Sequence, residues 1–100
     1  MTVTGIALGE DMPADFTLDQ NYPNPFNPST TIRYGLPRKS FVHLSVFNSI
    51  GQQVATLAAG EQGAGYHEIE FNASHFSSGV YLCRLVAGSY VQTRKLLLVR

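Results

Sequence analysis

Thr30-Thr31-Ile32-Arg33-Tyr34-Gly35-Leu36 alternates along its whole length, with Ile32, Tyr34 and Leu36 on one side and Thr31, Arg33 and Gly35 on the other. Successive side chains of an extended strand point to opposite faces, so this stretch reads as a strand with one buried face, ended by Pro37. The pattern recurs further along the chain. Phe41 to Asn48 groups Val42, Leu44 and Val46 against His43 and Ser45, and Tyr66 to Phe71 sets His67, Ile69 and Phe71 against Tyr66, Glu68 and Glu70. Val80 to Ala87 and Tyr90 to Val99 flank Gly88-Ser89, a pair suited to a two-residue hairpin loop. Phe16 to Leu18 is a brief first strand and Gln53 to Leu57 a fourth, in which Val54 and Leu57 differ in parity unless a bulge or twist intervenes.

Turn chemistry separates these runs. Asn48-Ser49-Ile50-Gly51 is a tight turn, Gly60 to Gly65 a loop with three glycines, and Ser74 to Gly79 a connection with room for one helical turn. About seven strands at roughly 8–12-residue spacing, with no helix of useful length, predict an all-β domain. The expected architecture is an immunoglobulin-like or fibronectin-like antiparallel β-sandwich of about seven strands. Residues 1–15 read as linker and 16–100 as the domain.

Leu18-Asp19-Gln20-Asn21-Tyr22-Pro23-Asn24-Pro25-Phe26-Asn27-Pro28-Ser29-Thr30 resists regular structure almost throughout. Each proline fixes φ, removes a backbone donor and pushes the residue before it toward extended conformations. The asparagines can fold back on the chain as Asx-turns. Tyr22 and Phe26 are the expected apolar anchors of a rigid, non-repetitive lead-in.

Composition narrows the function. One hundred residues support one core but no roomy catalytic cleft within it. Seven basic residues balance seven acidic ones, which argues against nucleic acid or an anionic membrane as partner. Low charge is also poor for solubility as a free protein, and a module tethered to a larger chain tolerates it better. The lone Cys83 excludes an intrachain disulfide. No apolar run approaches the ~20 residues of a membrane span. Residues Met1 to Ala14 lack the basic-then-apolar pattern of a secretory signal, so export would rely on a signal upstream of this sequence.

No catalytic constellation stands out: there is no nucleophile elbow, no close carboxylate pair and no base beside a nucleophile. His67, His75 and Cys83 lack any usual zinc spacing, and His67 shares a face with Ile69 and Phe71, as a boundary histidine does. Cys83 is in step with Tyr81 and Leu85, which predicts a buried thiol. Asp15 and Asp19 suit turn-capping better than calcium. Asn72-Ala73-Ser74 fits a glycosylation sequon, a motif that matches often by chance. Tyr22, Phe26, Tyr34 and Tyr66 are weighed as a sugar platform against core filling, and core filling is favoured. The reading is a non-catalytic domain without cofactor or metal.

Three segments together resemble the C-terminal type A sorting domain of the type IX secretion system of Bacteroidetes-type bacteria. They are Gln20 to Pro28 with Thr31-Ile32-Arg33-Tyr34 and Leu36-Pro37; Val46-Phe47-Asn48 with Gly51-Gln52, Val54, Leu57 and Ala64-Gly65-Tyr66-His67; and Ser78-Gly79-Val80-Tyr81 with Arg84-Leu85, Gly88 and Lys95-Leu96-Leu97-Leu98-Val99-Arg100. The resemblance covers about residues 16–100, and that family is similar to the immunoglobulin-like domain of the flagellar hook-capping protein. Phe71-Asn72 stands where relatives commonly carry a Trp-Asp pair, and Cys83 where an aromatic is common.

The resemblance implies a module at the C-terminus of a larger exported protein, read by the outer-membrane translocon and then by surface-attachment machinery. The carrier would pass the periplasm and outer membrane to become secreted or cell-surface bound, with a covalently linked cargo upstream. Asn21, Tyr22, Pro23, Asn24, Pro25, Phe26, Asn27 and Pro28, and Lys95, Leu96, Leu97, Leu98, Val99 and Arg100, are the expected recognition residues. The final strand is expected at a sheet edge with unpaired backbone groups open to strand addition, bracketed by Lys95 and Arg100. A carbohydrate-binding or self-assembling immunoglobulin-like accessory module of a secreted protein is the alternative.

Overall fold

In a computed structural model, residues 12–100 are described and contain seven strands and no helix. These are β1 (Thr17–Leu18), β2 (Ser29–Leu36), β3 (Ser40–Phe47), β4 (Gln53–Gln62), β5 (Gly65–Asn72), β6 (Gly79–Ala87) and β7 (Tyr90–Leu98). They form a three-stranded sheet, β1-β2-β5, facing a four-stranded sheet, β4-β3-β6-β7. Every pair of neighbouring strands is antiparallel. The expected sandwich is the fold observed.

The alternating positions supply the core. Ile32, Tyr34 and Leu36 of β2 bury against Val42, Leu44 and Val46 of β3, Tyr81, Cys83 and Leu85 of β6, and Leu96 and Leu98 of β7. Burying a side chain of this size stabilises a fold by about 1.5–3 kcal/mol. Val54 and Leu57 both pack on this core despite their parity. Register explains how: pairing steps from Leu44↔Ala58 to Ser45↔Thr56, and from Val46↔Ala55 to Phe47↔Gln53. Leu57 and Val54 are the residues left over, each in a bulge that turns it inward.

Two connections differ from expectation. The glycines after Leu57 do not open a loop, because β4 stays paired with β3 as far as Ser40↔Gln62 and leaves only Gly63 and Ala64 between sheets. Pairing with a well-formed neighbour outweighs the weak strand preference of glycine at this edge. The segment after Ala73 makes a turn, with Phe76 N–H donating to the Ala73 carbonyl, and no helical turn. The β3–β4 turn is as read: Asn48 Oδ1 accepts from Ile50 and Gln52 N–H, and Gly51 adopts φ +86°.

Most of the proposed linker, residues 1–11, lies outside the described residues. Pro13 is buried, near Gly35. A Cβ on Gly35 would stand 2.8 Å from Thr17 Oγ1 and 3.1 Å from both Pro13 Cγ and Tyr66 Cε1. Gly35→Ala is therefore expected to lower stability by about 1–3 kcal/mol, through displacement of β1 from β2. Chemical denaturation checks this; an unchanged midpoint would show that β1 gives way freely.

Candidate recognition site

The lead-in begins on one sheet and ends on the other. Asp19 N–H still donates to the Arg33 carbonyl, and Tyr22 exchanges two backbone bonds with Thr31, at 3.0 and 2.9 Å. Here the chain leaves β2. Tyr22–Pro23, Asn24–Pro25 and Asn27–Pro28 are cis. Four residues after Tyr22, Phe26 N–H donates to the Leu97 carbonyl and Val99 N–H to the Phe26 carbonyl, both at 3.0 Å, a parallel bridge onto β7.

Asn21 organises the crossing. It is buried with Thr30, and its Nδ2 donates to Thr30 Oγ1 at 2.9 Å and to the Pro23 carbonyl at 3.1 Å. Thr30 Oγ1 donates to the same carbonyl at 2.8 Å, and Gln20 Nε2 donates to Asn21 Oδ1 at 2.7 Å. Buried polar groups are tolerated when partnered, and this cluster partners its members locally in a segment that the prolines keep out of any ladder.

Tyr22 is not the apolar anchor expected of it: it is 81% exposed. Phe26 alone plays that part, 2% exposed and with its ring 6.0 Å from that of Phe71. The two-residue step on strand β2 that buries Asn21 turns its neighbour outward. Pro23, Asn24, Pro25 and Asn27 are exposed and Pro28 half-buried.

β7 is an edge strand, as expected, yet its last residues are not open. Gln20 Nε2 donates to the Lys95 carbonyl at 2.7 Å, Asn24 Oδ1 accepts from Leu97 N–H at 2.9 Å, and Phe26 takes the Leu97 carbonyl and Val99 N–H. Strand addition along Lys95 to Val99 is thereby corrected: the lead-in occupies the row of groups that a receptor strand would need. Arg100 is also not a loose flanking charge. Its Nη1 donates to the carbonyls of Ala73, Ser74 and Phe76 at 3.2, 2.7 and 2.7 Å, and its N–H donates to Ser78 Oγ at 3.0 Å. Leu96 and Leu98 are buried, so within this segment Lys95, Leu97, Val99 and the pinned Arg100 are the exposed residues.

The structure therefore brings the two candidate segments together as one ridge along the β7 edge. Sequence reading missed Gln20, Thr30 and Arg94 as its fasteners. Arg94 Nε donates to the Leu18 carbonyl at 2.7 Å across 76 positions, a pairing with no local signal. Thr30 closes the quoted proline stretch, and its place beside β2 is the one available hint.

A family profile described as a secretion system C-terminal sorting domain matches residues 20–99. The chain belongs to that family. The sorting-domain match opens on Gln20, where the lead-in begins to cross, and closes on Val99, where the lead-in's last bond to β7 is made. It is the type IX family that the sequence resembles. No curated protein matches the chain.

The other candidate groups of the sorting domain are placed plainly. Phe26 and Tyr34 are buried, which removes half of any four-aromatic platform. Tyr66 lies under the Arg33 guanidinium, 4.2 Å from the ring centre. His67 stacks on Tyr34, its Nε2 2.9 Å from the Gly63 carbonyl oxygen. Asn72 Oδ1 accepts from Ser74 N–H, so the sequon asparagine caps its own turn. Among the described residues, no group of three His, Cys, Asp or Glu stands together as a metal site.

Cys83 is buried, and burial pushes its thiol up to about 12 from an ordinary 9.0. The unfolded chain ionises this thiol first as pH rises, so it binds fewer protons than the folded state above pH 9.0. Its contribution to stability is complete below that pH and is lost on the way up to about 12. Cys83→Ala is expected to flatten the alkaline fall in stability, read by urea denaturation between pH 8 and 10. An identical slope in wild type and variant would exclude the thiol as its source.

Proposed function

We propose that this domain directs a larger protein, fused upstream of it, through the outer membrane by the type IX machinery and on to the cell surface or the medium. It acts as a folded address rather than as a catalyst. The observation that carries this reading is the family match over residues 20–99, a span that holds both halves of the ridge, with Gln20 bonded to Lys95 and Phe26 to Val99. In this reading the exposed members of Asn21 to Pro28 and of Lys95 to Arg100 contact the translocon, while Asn21, Phe26, Leu96 and Leu98 hold them in place. An address read as a surface needs rigid backing, and each of these four side chains is buried.

The test is a reporter enzyme with a periplasmic export signal, fused upstream of residues 1–100 in a type IX-competent host. The reporter is expected at the cell surface or in the medium, and removing residues 16–100 is expected to leave it in the periplasm. Equal release of both proteins would overturn the reading.

A further inference from the structure

The lead-in covers only half of the β7 edge. Leu97 directs its N–H and C=O outward to Asn24 and Phe26, so in an antiparallel ladder of period two Val91 and Thr93 direct theirs outward too. Among the described residues, the only hydrogen bond to these outward groups ahead of the Lys95 carbonyl is a long one of 3.5 Å, from Gln92 Nε2 to the Thr93 carbonyl. An edge is normally blunted by a bulge, a proline, a covering loop or charged side chains, and of these the open half has Lys95. The register from Ala87↔Tyr90 to Gly79↔Leu98 is unbroken, and β7 contains no proline.

The sheet face beside this open half is apolar at its start and cationic further on, with Arg84 paired to Thr93 between the two ends. Val86 pairs with Val91 and Leu82 with Lys95 on the outer side, and Val91 is 56% exposed. The outer face of the other sheet instead carries Thr31, Arg33, Glu68 and Glu70. Charge is one-sided as well: β6 and β7 contain Arg84, Arg94 and Lys95 and no carboxylate. A second copy added to this edge would set these cations against their own kind, which disfavours self-pairing.

Resting on the sorting reading, we propose that the β7 edge from Val91 to Lys95 receives an extended strand of a partner protein, about five residues long, with an apolar side chain beside Val91 and a carboxylate facing Lys95. The lead-in fixes where that strand must stop, because Gln20 already holds the Lys95 carbonyl. The partner's backbone supplies the missing half of the ladder, and its side chains extend the outer face by one row.

Thr93→Pro removes one outward N–H and leaves the bonds to β6 in place, so the domain keeps its fold while strand addition loses a central bond. Lys95→Glu keeps the backbone and reverses the charge. In the reporter fusion, each variant is expected to lower export at least about tenfold, with the thermal midpoint of the isolated chain within a few degrees of wild type. Folded variants exported like wild type would overturn the inference and leave the sorting reading standing; a wild-type fusion that is itself retained would overturn both. If Thr93→Pro fails to fold, Lys95→Glu decides. Normal export of Lys95→Glu would overturn the acidic occupant, and a wild-type dimer in sedimentation, lost in Lys95→Glu, would put a second copy there instead.

Discussion

A chain shortened by Lys95 to Arg100 is expected to unfold, not simply to lose a recognition element. Leu96 and Leu98 are buried in the core, and losing each costs about 2–5 kcal/mol. Together that is roughly 4–10 kcal/mol, set against the 5–15 kcal/mol that holds a typical domain. The shortened chain also loses the partners of Phe26, Asn24 and Gln20 and the Arg100 contacts to the β5–β6 turn. Export lost on this truncation would then report a missing fold. Circular dichroism of the truncated protein separates the two explanations: a cooperative transition near the wild-type midpoint would show that the final six residues are dispensable to the core. Val99→Ser is the gentler probe, since Val99 is 48% exposed and its backbone bond to Phe26 survives the change.

Phe26→Ala is the second large effect. A buried phenylalanine reduced to alanine costs about 3–5 kcal/mol, and here the ring packs by Phe71 of β5 while its backbone bonds β7. Its backbone bonds to Leu97 and Val99 then lose the side chain that seats them. Stability should fall by that amount, and the Val99 amide should exchange with solvent faster than amides in β3. Tyr22→Ala, four positions away, should change stability by no more than about 0.5 kcal/mol, because its ring is in solvent. Comparable losses in the two variants would mean that the lead-in is held by its prolines and not by Phe26.

Much of the scaffold was legible because burial on one face of a strand writes itself into every second residue. Ile32, Tyr34, Val42, Leu44, Val46, Phe71 and Leu85 were all identifiable as core in this way, Ile69 from the same pattern is only half-buried against it, and Gly88-Ser89 marked the last hairpin. The parity conflict at Val54 and Leu57 pointed correctly to a bulge. Less legible was β4 beyond Leu57, where glycines suggested a loop and only pairing with β3 decided otherwise. The ridge was least legible of all. That Asn21 is buried while Tyr22 is not runs against the polarity of both residues, and follows from a hydrogen-bonded cluster that local pattern does not encode. The partners of Gln20, Asn24 and Arg94 lie 73 to 76 positions away, beyond the reach of any periodicity.

That separation bears on how the molecule is made. A nascent chain emerges from the ribosome in order, so the segment around Gln20 to Phe26 waits for the last strand to be synthesised before it finds its place. Contacts this distant along the chain close late and slowly. An address whose two halves lie some 75 positions apart cannot be displayed by a product interrupted between them.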